Sequence, residues 1–155
     1  MTTLKCKEEI VKYGKNDQVI RKEFEEIHCS EEKTCKEGDK KAGCEKRTII
    51  GPSKEDKDFF LGVRACICPD DLKDGKTGRP VPGSHMDCNQ YALYYSKDKE
   101  ELARLCEMTI CTTEKQCEDG NEKKGCSKRS LIRASKEDEK FFMAIVICVC
   151  QKYLG

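Results

Sequence analysis

The feature that most constrains this chain is a set of cysteines that recurs at a fixed spacing. When the chain is shifted by 82 residues, six cysteines fall on six others without a gap. The aligned pairs are Cys6 and Cys88, Cys29 and Cys111, Cys35 and Cys117, Cys44 and Cys126, Cys66 and Cys148, and Cys68 and Cys150. Between residues 29 and 68, 19 of 40 positions are identical to their counterparts. Such a period predicts two homologous six-cysteine modules in tandem.

The density of cysteines indicates disulfides. Thirteen cysteines occur in 155 residues, and charged residues make up 38% of the chain, so the apolar core must be thin. Small secreted domains compensate for a thin core with disulfides. Zinc sites usually show short C-x2-C spacings, whereas the first copy has intervals of 22, 5, 8, 21 and 1 residues. We therefore expect six disulfides, an extracellular location, and no metal or other cofactor.

The disulfide pairing stays open at this point. Six cysteines permit fifteen pairings, and a local bridge from Cys35 to Cys44 is one of them. Cys106 is the thirteenth cysteine and aligns with Phe24. It is expected to be a free thiol, either buried as a small hydrophobic residue or exposed and able to link to another chain.

The composition also predicts where the modules end. Residues 1–70 and 87–155 are expected to form the two modules, joined by a linker at residues 71–86 that is rich in Asp, Gly, Lys and Pro. The linker contains Gly83-Ser84-His85-Met86, a string left by a common cloning vector, which we exclude from the fold. The N-terminus lacks the apolar stretch of a signal peptide, which suggests a mature sequence with an added Met. The chain therefore reads as an engineered fusion of two homologous units, such as the subunits of a natural heterodimer.

Three segments of each module are expected to be helical, because apolar residues recur at i, i+4 and i+7 in the first two. The first segment runs over Cys6 to Tyr13, and the second, which Asp17 can cap, over Ile20 to Ile27. The third begins at Ser53, or Ser135 in the second copy, each followed three residues later by an acid. The predicted fold class is all-α, small and disulfide-rich: two homologous three-helix modules in tandem. A strand is the alternative for the last element of each, because residues 141–150 are rich in Ile and Val.

Several functional classes do not fit this composition. The net charge is +1, and nucleic-acid binders need a basic face. No apolar run reaches about 18 residues, so no membrane span is expected. Of the two histidines, His85 belongs to the cloning string and His28 aligns with Ile110. A catalytic triad therefore lacks its parts, and we do not expect an enzyme.

The remaining leading hypothesis is a secreted protein that binds a partner protein, as a toxin, a host-directed effector or a signalling ligand. A disulfide-stapled module loses little entropy on binding, and the two modules are expected to pair. Candidate partner contacts are the basic residues of the recurring loops: Lys40, Lys41, Lys46, Arg47, Lys123, Lys124, Lys128 and Arg129.

Two alternatives remain. The chain could carry a small apolar ligand between the two modules, since one module alone struggles to enclose a pocket of about 300 Å3. It could also be a thiol-rich metal buffer, which would require free thiols.

Overall fold

The computed structural model describes residues 2–74 and 85–154. The first copy runs in the order β1 (Thr2–Leu4), β2 (Glu9–Gly14), α1 (Asp17–Glu25), β3 (Ile27–Cys29), β4 (Cys35–Glu37), β5 (Lys40–Ala42), β6 (Glu45–Pro52), β7 (Phe60–Ile67) and α2 (Pro69–Asp74). The second copy runs in the order β8 (His85–Met86), β9 (Tyr91–Ser96), α3 (Lys99–Met108), β10 (Ile110–Cys111), β11 (Cys117–Asp119), β12 (Glu122–Lys124), β13 (Cys126–Ala134) and β14 (Phe142–Cys150). A 3-10 helix at Gln151–Tyr153 follows β14.

The all-α prediction is wrong, because most of the described structure is strand. The first predicted helix is β2, and the third is the long strand β7, or β14 in the second copy. The helix prediction is correct for the second segment, which forms α1 and α3. Asn16 caps α1, one residue before the predicted Asp17. In place of three helices, each module has a sheet covered by one helix, α1 or α3, and the first module ends in the short α2.

Each copy is built on a three-stranded antiparallel sheet. The strand order is β2-β7-β6 in the first copy and β9-β14-β13 in the second. Smaller pairs flank these sheets: β1 with β3 and β8 with β10 are parallel, and β4–β5 and β11–β12 are antiparallel hairpins. The sheet and its flanking strand pairs thus recur in the two copies, as the cysteines do.

The central strand of each sheet is buried on both faces, which is why its sequence misled the prediction. In β14, Ile145 and Ile147 face a core shared with the other sheet, whereas Ala144 and Val146 face α3. A strand covered on both sides has a continuous apolar run with no polar alternation, and periodicity cannot separate such a run from a buried helix. The layers are therefore helix, sheet, sheet and helix, with the main core between the two sheets.

The Ser-x-x-Asp signal at Ser53 forms a tight turn rather than the start of a helix. The Ser53 hydroxyl donates to the carbonyl of Asp56 at 2.6 Å and accepts from its backbone N–H at 3.2 Å. Ser135 makes the same two bonds with Asp138. The residues that resemble a capping box thus close the turn that leads into β7 or β14.

The cloning string contributes to the fold more than the sequence suggests. Residues 83 and 84 lie outside the described residues, but His85 and Met86 form β8. Met86 is 1% exposed and takes the position of Leu4 in the first copy. Excluding these two residues from the fold is therefore wrong. The linker assigned to residues 71–86 also begins inside α2.

Candidate functional site: the interface between the two copies

Each copy contains three disulfides, and the pairing is the same in both copies. The bridges are Cys6–Cys44, Cys29–Cys66, Cys35–Cys68, Cys88–Cys126, Cys111–Cys148 and Cys117–Cys150. The prediction of disulfides is confirmed, and the local bridge from Cys35 to Cys44 is not formed. Each bridge joins segments 33 to 38 residues apart, so each one ties the end of the sheet to a distant part of its module.

Three groups of cysteine sulfurs lie close enough together to suggest a metal site. Within each group the Sγ atoms lie within 4.8 Å of one another. The groups are Cys29, Cys44 and Cys66; Cys88, Cys117 and Cys150; and Cys111, Cys126 and Cys148. All nine cysteines belong to disulfides. Metal binding requires thiolates, so these groups do not fit a metal ion in the oxidised protein.

Cys106 is unpaired and buried on the inner face of α3. Its side chain belongs to the apolar cluster beneath the helix, together with Leu102 and Ala144. Burial raises the pKa of the Cys106 thiol to about 11, and the nearby Lys128 ammonium opposes that rise only in part. The Lys128 Nζ also donates to the carbonyl of Cys106 at 2.6 Å. At neutral pH the group is a protonated, inaccessible thiol.

We expect Cys106 to react with iodoacetamide at least about a hundredfold more slowly in the native protein than in 6 M guanidinium at pH 8, since the thiolate is the nucleophile. Below pH 11 the native rate should climb with pH, because the thiolate fraction grows towards the raised pKa. Intact mass should report one adduct on the unfolded, unreduced chain and thirteen after reduction, matching the cysteine count. Equal rates for native and unfolded protein would contradict the buried position.

Two reciprocal carboxylate contacts join the copies. Glu137 accepts hydrogen bonds from the Thr48 backbone N–H at 2.7 Å and from its hydroxyl at 2.9 Å. At the equivalent place Glu55 accepts both from Ser130, at 2.6 Å each. Thr48 is 1% exposed and Ser130 is 4% exposed, so each carboxylate satisfies polar groups that are otherwise cut off from water.

Two arginines also make equivalent contacts, each with residues of the other copy. Arg47 lies over the ring of Phe141 in the other copy, 5.9 Å from its centroid, and Arg129 lies over Phe59 at the same distance. Each guanidinium also faces an acid across the interface, Asp138 at 4.0 Å and Asp56 at 3.9 Å. These distances allow a cation–π interaction together with weak ion pairing.

These contacts define a pseudo-two-fold interface. Each of these carboxylate and arginine contacts is matched by the contact of the counterparts 82 positions away, which is the signature of an isologous pair. Beneath the polar contacts lies one apolar core that both sheets share. Its buried members include Phe59, Leu61, Phe141, Met143 and Ile145. Buried side chains of both copies therefore belong to one apolar cluster in this structure.

One part of the interface has no counterpart. In the first copy the Thr48 hydroxyl accepts from Arg64 Nε at 3.1 Å, and Arg64 also donates to the carbonyls of Phe24, in the last turn of α1, and Ile27, at the start of β3. Burial lowers the pKa of Arg64, and Glu137 opposes that change. In the second copy Val146 stands at this position. A chain of polar contacts thus connects Glu137 through the first sheet to α1.

We expect both carboxylates to stabilise the protein, and Glu137 more than Glu55. Glu55→Ala should cost about 1 kcal/mol of unfolding free energy and Glu137→Ala about 2 kcal/mol, because the latter also removes the charge that offsets buried Arg64. Urea unfolding would measure both. Glu139→Ala, at a nearby exposed position, is the matched control and should leave the midpoint unchanged. Equal effects in all three variants would contradict a role for these contacts.

The predicted partner contacts fall into separate groups. Lys40, Lys41, Lys123 and Lys124 are exposed on the β4–β5 and β11–β12 hairpins, where Gly38 and Gly120 adopt positive φ angles of 63° and 67°. Arg47 and Arg129 instead lie in the interface between the copies. Lys128 binds the carbonyl of Cys106, and Lys46 is half-buried. Their role toward an external partner stays a prediction.

The sequence reasoning missed the residues that form the interface. Glu55, Glu137, Thr48, Ser130 and Arg64 carry no recognisable motif. The available signal was the segment Ser-Lys-Glu-Asp, which is identical in the two copies although it lies in a surface turn.

Comparisons with known proteins assign no family. No protein-family model matches the chain, and no curated protein or solved structure matches it significantly. Within residues 2–74 and 85–154, no helix is both long and apolar enough to cross a membrane. The function must therefore be argued from the geometry of the molecule itself.

Proposed function

We propose that the chain consists of two homologous subunits of a secreted heterodimer, joined by an engineered linker, which acts by binding a protein partner rather than by catalysis. The observation that carries the proposal is the reciprocal interface, in which two disulfide-bonded modules share one apolar core. Six disulfides support an oxidising, extracellular setting. An assembly of this kind offers a rigid, polar outer surface, which loses little entropy when it binds.

The exposed lysines of the two hairpins are the proposed contact residues. Lys40, Lys41, Lys123 and Lys124 protrude from hairpins that disulfides anchor at Cys35 and Cys117. Acids of the same hairpins balance these lysines, and Asp119 pairs with Lys124 at 3.0 Å, so the lysines suit short-range ion pairs with carboxylates of a partner rather than long-range attraction. Catalysis is not part of the proposal, since exposed His28 aligns with apolar Ile110, which cannot transfer a proton.

The carrier alternative is less favoured, because side chains fill the space between the sheets. Leu61, Val63 and Ile145 are each 0% exposed there. The cleft at the edge of the interface has a volume of about 250 Å3, below the range of about 300–1,000 Å3 for ligand pockets. Its lining includes the cations Arg21, Arg133 and Lys136, which suit an apolar ligand poorly.

Binding of the labelled protein to an array of displayed extracellular domains tests the proposal. We expect saturable binding that unlabelled protein competes and that disulfide reduction abolishes. Alanine substitution of the four hairpin lysines should weaken it about tenfold or more. A matched variant with four exposed lysines outside the hairpins replaced, Lys15, Lys57, Lys97 and Lys140, should not. Saturable uptake of an apolar dye, without binding to any domain, would instead favour the carrier alternative.

A further inference from the structure

Two contacts at the interface join a residue to its own counterpart in the other copy. The Tyr91 hydroxyl donates to Glu9 Oε1 at 3.0 Å, and these positions are 82 residues apart. Arg133 lies against Gly51, also 82 positions away, and its Nη1 donates to the carbonyl of Ile50. Under two-fold symmetry a residue touches its own counterpart only close to the axis. The copies carry different residues at both places.

Unlike residues on a two-fold axis decide which copies can pair. In a pair of two first copies, Glu9 would face a second Glu9, and Gly51 would face Gly51 with nothing to fill the space. In a pair of two second copies, Arg133 would face Arg133. A Cβ at position 51 would lie 2.7 Å from Arg133 Nη1 and 3.2 Å from its Cδ, so the arginine would have to leave the carbonyl that it binds.

We propose that Glu9–Tyr91 and Gly51–Arg133 are the specificity determinants that make the two subunits pair with each other rather than with themselves. The inference rests on the proposed function, because it takes the two copies to be natural subunits. Each like pair is penalised: two carboxylates repel each other in one, and in the other two exposed guanidiniums repel each other and the hydrogen bond that Arg133 makes across the interface is lost. The unlike pair replaces both penalties with a hydrogen bond and a filled contact. Discrimination by repulsion between wrong partners is a general route to specificity.

The reciprocal carboxylate and arginine contacts do not discriminate in this way. The carboxylate contacts use Glu in both copies, with Thr48 and Ser130 as equivalent hydroxyl donors. Arg47 and Arg129 lie over Phe141 and Phe59 in the same manner. A self-pair of either copy would keep these contacts, so they supply affinity without choosing the partner.

In the full chain a single substitution can create each like pair, and a second substitution can restore an unlike pair. Tyr91→Glu places two glutamates at the first position, and Gly51→Arg places two arginines at the second. The swaps Glu9→Tyr with Tyr91→Glu, and Gly51→Arg with Arg133→Gly, restore the unlike pair with its members exchanged. We expect each like pair to lower Tm by about 3 °C or more, and each swap to recover most of that loss.

Salt separates the charge effect from the steric one. In 1 M salt the Debye length falls to about 3 Å, so the Tyr91→Glu loss should shrink, whereas the Gly51→Arg loss should largely persist because Arg133 is still displaced. Asn121→Glu and Asn121→Arg, at an exposed neutral position in the turn of the β11–β12 hairpin, make the same two charge changes and are the matched controls. The proposal is overturned if the like-pair variants match the wild-type Tm, or if the swaps are as unstable as the sum of their single substitutions.

Subunit exchange tests partner choice directly. A protease site would be introduced between residues 75 and 84 and the full chain cut there, and heavy and light isotopic preparations of the cut protein would be mixed and followed by native mass spectrometry. We expect only complexes of one first copy with one second copy. Self-pairs at statistical abundance would overturn the specificity, whereas separation into free halves would overturn the pairing in the proposed function. Neither result depends on an external partner.

Discussion

The double variant C29A/C66A is expected to lose about 2–4 kcal/mol of unfolding free energy relative to the wild-type protein. This bridge joins β3 to the central strand β7 and spans a sequence separation of 37 residues. Without it the unfolded chain regains the entropy of an open loop. Cys66 is 1% exposed and lies in the core beneath α1, so the alanines also leave unfilled space.

Guanidinium unfolding without reductant would measure this loss. The equivalent bridge Cys111–Cys148 has the same separation of 37 residues, so C111A/C148A should show a loss of similar size. C106A is the control that removes a buried cysteine and breaks no bridge, and it should cost about 1 kcal/mol. If C29A/C66A unfolds at the same guanidinium concentration as C106A, the bridge does not stabilise the fold as expected.

The substitution Phe24→Cys is expected to cost about 3–4 kcal/mol, since it removes a fully buried aromatic ring. Phe24 is 1% exposed, packs against Gly62 of β7, and lies beneath the Arg64 guanidinium at 5.4 Å. The second copy places Cys106 at this position without collapse of its helix. The difference must therefore be balanced by neighbouring residues.

Two neighbouring positions balance the difference: one in the central strand, where it faces the helix, and one in the helix itself. A Cβ at Gly62 would lie 2.7 Å from Ile20 Cγ2 and 2.9 Å from the Phe24 ring. The second copy has Ala144 where the first has Gly62, and Leu102 where the first has Ile20. A leucine has no Cγ2 on its Cβ, and a cysteine has no ring, so both obstacles to the alanine are removed together.

A thermodynamic cycle measures this coupling. Gly62→Ala should cost about 1–3 kcal/mol in the wild-type background through overpacking, and should be neutral or stabilising in the I20L/F24C background. Urea unfolding of the four proteins gives the interaction free energy. A penalty of the same size in both backgrounds would show that the three positions are independent, and the packing account of Cys106 would then be wrong.

This packing exchange gives the unpaired cysteine a physical explanation. Its small side chain packs in one buried cluster with Ala144, whereas in the first copy the Phe24 ring lies where a Cβ on Gly62 would go. The carbonyls at the end of the helix also find different donors: Arg64 in the first copy, and Lys128 with the Thr109 hydroxyl in the second. The two copies thus solve one packing problem with different residues.

The exposed parts of the site were partly predictable from the sequence. The hairpin lysines are exposed as a polar, glycine-bearing loop would suggest, and the repeat identified each equivalent pair in advance. The interface arginines were assigned to an external contact, because a basic string does not reveal whether a neighbouring copy covers it. Glu55 and Glu137 escaped notice, since a surface acid usually faces water.

The sequence by itself determined the duplication, the disulfide chemistry and the second helix, because these depend on residue identity and local spacing. The cysteines recur at one fixed spacing whatever fold the chain adopts, and the apolar residues of α1 recur at the helical period. Only the tertiary structure decided that the long apolar segments are strands. Both of their faces are covered, one by a helix and one by the other sheet, so no local pattern records the choice. It also decided the disulfide pairing and brought residues 82 positions apart together at an axis, which no local spacing encodes.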